Sequence, residues 1–381
     1  MNRRLAWAGI AIVAVAIAFL GYWSLGGPSA ASKDPLKLGL LFPLTGDAAS
    51  YGVKGRKAVQ LAVDELTAAS ACSRPVTAIF EDSAAQPNTG LSAFQKLVSA
   101  DRVPVVIGDI VSAVTLAIAP AANRSKTVVL SPTSSAPAIT NAGEYIYRIW
   151  PSDLAEGRAI ADFAIKRGFK RAAILHLNND YGVAINGIFK NVFAGEAREV
   201  IASEAYLESN QDFRSVLSRM RNLNPDVLYI AGYYADSATI TRQARELGFN
   251  VQLLGTTAIE DPKFIELAGN AANGIIYPLA TGFDVASSDP QVLRFIDAFK
   301  RRFNETPGWV EAQAYDAVGV ICKAVSTLAD TPTGERLKAA LDNLGTYKGV
   351  TGDIRFDENG DVVKPVRMRI IRDGKFTNLE Q

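Results

Sequence analysis

Two segments gather hydroxyl groups in a form that could hold an anion: Gly108-Asp-Ile-Val-Ser112 and Ser131-Pro-Thr-Ser-Ser-Ala-Pro137. Hydroxyls beside the free N–H groups of a helix start suit a carboxylate, because a cluster of donors stabilises the charge without a cation. Either segment alone would serve as a helix N-cap; two of them after adjacent strands point to a site. Tyr181 and the Tyr233-Tyr234 pair add rings whose hydroxyls donate one bond while the ring covers an apolar group, although such residues serve equally as half-buried strand ends. Thr45-Gly-Asp-Ala-Ala-Ser-Tyr-Gly52 joins the first strand to the first helix and by itself reads as an ordinary polar loop. Neither Gly-x-Gly-x-x-Gly nor Gly-x-x-x-x-Gly-Lys-Ser/Thr occurs, so no dinucleotide or triphosphate cradle is expected, and no cofactor.

Composition narrows the chemistry further. The 381 residues hold one His, His176, and two Cys, Cys72 and Cys322, which is too few for a His/Cys metal centre. No nucleophile–base pair is readable, so binding is expected and catalysis is not; His176 at the end of an apolar strand is taken as structural. Forty Lys+Arg balance 39 Asp+Glu without long like-sign runs, which removes the basic stripe that nucleic acid would need. Cys72 at a helix end and Cys322 within the apolar run Val318–Val325 read as two separate thiols, although spacing alone does not exclude a bridge.

The elements that must position these residues alternate. From Leu36 short β-branched runs are followed by amphipathic windows: strands at 37–44, 76–81, 103–108 and 128–131, with helices at 52–69, 90–100 and 112–123. Val59, Ala62, Val63 and Leu66 form one apolar stripe on the first helix, which therefore packs on a sheet. After Pro151-Ser152 the rhythm restarts, with strands at 171–176, 200–206, 227–231, 252–254 and 274–279, so two parallel α/β units are expected. Three later helices, at 289–303, 309–328 and 334–344, have too few strands for a third sheet and are placed back on the first unit. Two hydrophilic strands are expected around Asp357-Glu-Asn-Gly-Asp361. In both units the candidate residues follow strand ends, where open α/β sheets bind ligands.

The first residues have the layout of an export signal: Asn2-Arg3-Arg4, the uncharged run Leu5–Trp23, then small residues that suit cleavage after Ala31. No Cys lies there for lipid attachment. The 19-residue run is also near the ~20 residues that span a bilayer, so an uncleaved membrane tether stays open. Loss of residues 1–31 removes two arginines and no acid, leaving 38 cationic against 39 anionic side chains.

Over nearly its whole length after the leader the chain resembles the periplasmic branched-chain amino acid (Leu/Ile/Val-type) solute-binding proteins of ABC importers. The likeness is carried by Gly39-Leu-Leu-Phe-Pro-Leu-Thr-Gly46, Tyr51-Gly52, Gly108–Ser112, Ser131–Pro137, Asn179-Asp-Tyr-Gly182, Asp212-Phe213, Asn224-Pro-Asp226, Gly232-Tyr-Tyr234, Leu267-Ala-Gly269, Ala314-Tyr-Asp-Ala317 and Asp357–Asp361, in order and at matching spacing. The resemblance implies an α/β type I periplasmic binding protein fold. Its two Rossmann-like lobes, 36–150 with 281–364 and 151–280 with 365–381, would be joined by three crossings and would close on a ligand like a Venus flytrap. It implies as partners a small carboxylate-bearing ligand, an amino acid or a related acid or amide, and the membrane subunits of an ABC importer, with a membrane-tethered sensor using the same cleft as the alternative. Carried over by position, Ser112, Ser134 and Ser135 are the carboxylate cradle, Tyr51 a side-chain wall, and Tyr181 and Tyr233 the closing contacts of the second lobe.

One departure bears on the ligand. The resemblance implies an acid just after the Gly that ends the strand at 252–254, as partner of the ligand's ammonium; here the stretch reads Gly255-Thr-Thr-Ala-Ile-Glu260 and puts Thr257 there. An ammonium buried without a carboxylate is costly, so this reading favours a carboxylate that lacks one. Asp109, Glu260 or Asp261 could substitute for the missing acid by a different route, but each is read first as a solvated surface acid.

Overall fold

The computed structural model describes residues 34–208 and 210–379; the leader lies outside them. The first sheet has five parallel strands in the order β2-β1-β3-β4-β5, formed by β1 (Leu36–Phe42), β2 (Val76–Asp82), β3 (Val105–Gly108), β4 (Val128–Ser131) and β5 (Ile146–Arg148). β1, β3 and β4 are almost wholly apolar because helices cover both faces, and every residue of β3 and β4 is buried.

The second sheet runs β14-β13-β10-β9-β8-β6-β7. Its parallel part is β6 (Arg171–Leu177), β7 (Glu199–Tyr206), β8 (Val227–Ala231), β9 (Gln252–Leu254) and β10 (Ile276–Leu279). β13 (Arg367–Arg372) adds antiparallel to β10, and β14 (Lys375–Asn378) antiparallel to β13, as an edge on the expected parallel sheet. The two strands expected around Asp357–Asp361 do not pair with each other. β11 (Tyr347–Gly349) and β12 (Gly352–Ile354) make their own hairpin, and Asp357 closes a turn by accepting from the N–H groups of Asn359 and Asp361.

The helices are α1 (Ala49–Ala68), α2 (Pro87–Ser99), α3 (Ser112–Ser125), α4 (Asp153–Lys166), α5 (Asp180–Phe193), α6 (Arg214–Asn222), α7 (Tyr234–Glu246), α8 (Pro262–Ala268), α9 (Pro290–Phe303), α10 (Trp309–Ser326) and α11 (Gly334–Asp342). α10 is buried over nearly its whole surface and lies against α1, and Tyr315 of α10 donates to Glu65 of α1 at 2.7 Å, so the late helices do return to the first unit. That packing also corrects the thiol reading. Cys72 and Cys322 form a disulfide with their Cα atoms 4.3 Å apart, because the segment just after α1 and the C-terminal part of α10 meet across 250 residues of sequence.

In both sheets the strand order reverses at one place, between β1 and β3 and between β6 and β8, opening a crevice at the strand ends. Glycine lets the helix after the leading strand start close to that crevice. A Cβ on Gly52 would lie 1.8 Å from the Pro43 carbonyl oxygen, and one on Gly182 2.2 Å from that of Leu177. Among the described residues no helix is long and apolar enough to cross a membrane.

Candidate functional site

The two crevices face each other across a small cavity. Its lining includes Tyr51, Ser112, Thr133, Ser135 and both Trp150 and Trp309 from the first sheet's side, and Glu156, Tyr181, Tyr233 and Thr257 from the second's. The same face brings together six of the seven residues singled out in the sequence; the seventh, Ser134, turns away.

On the first lobe, the turn between β3 and α3 is clamped by the serine run. The Asp109 carbonyl accepts from Ser131 Oγ at 2.6 Å and Ser134 Oγ at 2.9 Å, and Ser134 Oγ also meets Thr115 Oγ1 at 2.8 Å. Ser134 therefore holds the backbone from behind. Ser112, at the first position of α3, accepts from the backbone N–H groups of Ser135 and Ala136, each at 3.1 Å. A hydroxyl has two lone pairs and one proton; with both lone pairs used inside the fold, the proton is free for an acceptor in the cavity. Arg148 fixes the other side of this loop. Fully buried, it donates to the carbonyls of Ser135 and Ala136 at 3.0 Å and to Asp361 through Nε at 2.7 Å and through Nη2. Its fifth N–H donates from Nη2 to Thr140 Oγ1 at 2.8 Å, so no donor is left over for a ligand.

Aromatic rings make the apolar walls. Tyr181 and Tyr233 stack at 5.5 Å with planes 4° apart, and Trp150 and Trp309 approach to 4.7 Å. Burial raises the pKa of Tyr51 and Tyr181 well above the usual phenol value, with Asp261 adding to the shift of Tyr51 and Glu156 to that of Tyr181, so both keep their protons. Tyr51 also crosses the cleft: its hydroxyl donates to the Ala258 carbonyl and accepts from the Tyr234 N–H at 3.3 Å. Lys54 pairs with Asp261 at 2.7 Å, Ser50 donates to the same carboxylate at 2.9 Å, and Trp309 Nε1 donates to the Glu260 carbonyl at 3.0 Å. These contacts join the two lobes at the cavity rim in a closed arrangement.

One carboxyl group lines the cavity, and it comes from a different element than the loop that carries Thr257. Glu156, in the first turn of α4, lines the cavity with only 2% of its surface exposed, and Thr257 donates to it from its backbone N and from Oγ1, both at 2.8 Å. Burial raises its pKa, opposed by the two bonds from Thr257. Asp153, one turn earlier, is also buried, and burial together with the charge of Glu156 raises its pKa. The three acids read as surface groups are not solvated. Asp109 is fully buried with Oδ1 accepting from the Val111 N–H at 2.7 Å, Asp261 serves Lys54 and Ser50, and Glu260 accepts from Tyr277 at 2.6 Å beside Arg369. None of them lines the cavity. His176 is buried with Nδ1 at the Leu177 carbonyl, burial lowers its pKa, and it also lies off the cavity. Among the described residues no cluster of His, Cys, Asp and Glu could hold a metal.

Residues 35–375 match the family model described as periplasmic binding protein. The chain belongs to the periplasmic binding protein family. A relative from Pseudomonas aeruginosa, named leucine-, isoleucine-, valine-, threonine- and alanine-binding protein, is 26% identical over 87% of this chain and 88% of its own length. The crystal structure of a leucine-binding protein, LivK, from Thermotoga maritima superposes with a TM-score of 0.85 at 29% identity, covering 91% of this chain and 98% of that one. A solute-binding protein of an ABC transporter from Rhodopseudomonas palustris, in complex with 3,4-dihydroxybenzoic acid, gives a TM-score of 0.82 at 25% identity, covering 92% and 97%. In this periplasmic binding protein the sequence reading missed Glu156, Thr133, Trp150 and Trp309. Glu156 sits where an acid ordinarily serves the positive end of a helix, and only its depth at the crevice separates it from that role.

Proposed function

We propose that the protein is an extracytoplasmic solute receptor that captures a small carboxylate-bearing ligand between its lobes and delivers it to the membrane subunits of an ABC importer. The observation that carries this reading is the Ser112 hydroxyl, which spends both lone pairs on the Ser135 and Ala136 N–H groups and keeps its proton for the cavity at the start of α3. Ser112 and Ser135 hold the carboxylate, Thr133 stands beside them, Ser134 stiffens the loop from behind, and Tyr51, Tyr181 and Tyr233 cover the remainder of the ligand. The role is binding without chemistry: ligand bridging both halves favours the closed arrangement, and a transporter distinguishes closed from open. Relatives named for amino acids and a neighbour holding a dihydroxybenzoic acid share the carboxylate as the common feature.

The disulfide agrees with an oxidising compartment and so with export. The uncharged run Leu5–Trp23 supports a second reading, a membrane-tethered sensor with the same cleft. N-terminal sequencing of the exported protein separates the two, since a start near Ser32 leaves no tether. Thermal unfolding in the presence of amino acids, keto acids and benzoates tests the receptor reading itself. A rise in Tm with one of these carboxylates is expected, and no rise with any of them counts against it.

A further inference from the structure

The cavity lining holds two kinds of polar group with opposite needs. At the α3 side it offers donors and no acid; at the α4 side it offers a buried carboxyl group and no cation. Among the described residues no Lys or Arg lines the cavity, and none donates to Glu156 or Asp153. Arg148, the nearest guanidinium, is committed to Asp361 and to the Ser135 and Ala136 carbonyls.

Thr257 shows what Glu156 lacks. Its Oγ1 lies 2.8 Å from Glu156 Oε2 and 2.8 Å from the Pro278 carbonyl oxygen, two acceptors for a hydroxyl that has one proton. One proton serves both contacts only when Glu156 is itself protonated and donates to Thr257, which in turn donates to Pro278. With a cation at Glu156 the carboxylate is compensated from the cavity side and its proton is not needed. Resting on the receptor reading above, we infer that Glu156, seated by Thr257, is the acid that receives the ligand's ammonium, so that the preferred ligand is a zwitterionic α-amino acid with its carboxylate at Ser112 and Ser135. The role expected of an acid at position 257 is thus filled by a residue 101 positions away, and Thr257 acts as the positioning residue.

Binding on these terms is linked to a proton. Burial pushes Glu156 up to about 7. The groups facing it are Asp153 from its own helix, Tyr181 from α5 and Tyr229 from β8, all three raised, and Thr257 from the loop after β9; none supplies positive charge. An ammonium beside Glu156 drives the proton off, so amino-acid affinity rises with pH, by about tenfold between pH 6 and pH 8 for one proton released. A ligand without an ammonium does not displace that proton, so its affinity does not rise with pH over this range.

Isothermal titration calorimetry of the full exported chain with L-leucine, L-alanine, 4-methyl-2-oxopentanoate and benzoate tests this. Wild type should bind an amino acid more tightly than the keto acid, release close to one proton at pH 6, and lose that release by pH 8. Glu156→Gln, an isostere that keeps both contacts to Thr257, should weaken amino-acid binding about a hundredfold and abolish the pH slope while leaving keto-acid binding within about threefold, consistent with loss of a charge-assisted contact. Thr257→Val should weaken amino-acid binding and shift its pH profile, and Thr257→Ser should restore both. Thr257→Glu, which sets a second acid against Glu156, should weaken amino-acid binding. Unchanged amino-acid affinity and slope in Glu156→Gln, or keto acid or benzoate bound more tightly than any amino acid by wild type, overturns the ammonium assignment and leaves the carboxylate receptor standing. Failure of all four compounds to bind a protein of normal Tm and circular dichroism overturns the receptor reading as well.

Discussion

The two halves of the cavity are built on the same plan and prepared differently. Each sits at a strand-order reversal, and each follows a glycine that lets a helix start close to a strand end. On the first lobe nearly every polar atom near the cavity has a partner within the lobe: Ser131 and Ser134 hold the Asp109 carbonyl, Arg148 holds the Ser135 and Ala136 carbonyls, and a disulfide ties α1 to α10 behind them. On the second lobe the walls are stacked rings and a carboxyl group with two bonds from one threonine. The difference teaches a division of labour. A prepaid donor set presents an anion site at little further ordering cost, whereas the second lobe supplies surface and charge that are satisfied only on closure.

That comparison can be broken most severely behind the first lobe. The disulfide closes a sequence separation of 250 residues, and Cys72→Ser with Cys322→Ser should cost about 2–5 kcal/mol of stability. Chemical unfolding with and without reductant measures it, and calorimetry should find ligand affinity little changed, because the bridge lies away from the cavity lining. Next, Ser112→Ala removes a charge-assisted donor worth roughly 1.5–3 kcal/mol, so affinity for every carboxylate should fall tenfold or more, amino acid and keto acid alike. This uniform loss is the counterpart of the selective loss expected for the second lobe at Glu156.

A smaller effect is expected at the rim. Tyr51→Phe deletes the hydroxyl that bonds Ala258 and Tyr234 across the cleft, a net loss of about 0.5–1.5 kcal/mol from the closed form. Small-angle scattering should show a larger radius of gyration without ligand, and stopped-flow a faster ligand release, with the Ser112 site intact. The mildest test is of pH on the ligand-free protein. Carboxyl groups raised by burial, Glu156 and Asp109 to about 7 and Asp316 to about 6, bind more protons folded than unfolded. Their contribution to stability is therefore present at pH 4 and declines as pH rises toward 7. Tm measured across that range should show Glu156→Gln with a shallower decline than wild type.

The sheet-forming rhythm was legible because a strand buried on both faces must be an apolar run and a covering helix must carry one apolar stripe; β3, β4 and α1 fall close to where these patterns put them. The serine loops were legible for a similar local reason, since hydroxyls at a strand-to-helix turn have few uses other than capping and anion binding. β5 was harder to see: Ile146–Arg148 is three residues long and shows no period. The hairpin β11–β12 was displaced toward Asp357 because the turn residues there are the stronger signal.

By itself the sequence determined two α/β units in order and hydroxyl-rich loops at strand ends, properties carried by stretches of a few to twenty residues. Tertiary structure alone decided which of the four serines and threonines between Ser131 and Ser135 face the cavity, that Cys72 meets Cys322, and that Glu156 meets Thr257. The physical reason is the same in each case. Periodicity reports which face of an element is buried, but which distant element lies against that face is set by strand order and by the packing of helices on the sheet, and the chemistry of this cleft arises from contacts between residues about 20 and 100 positions apart.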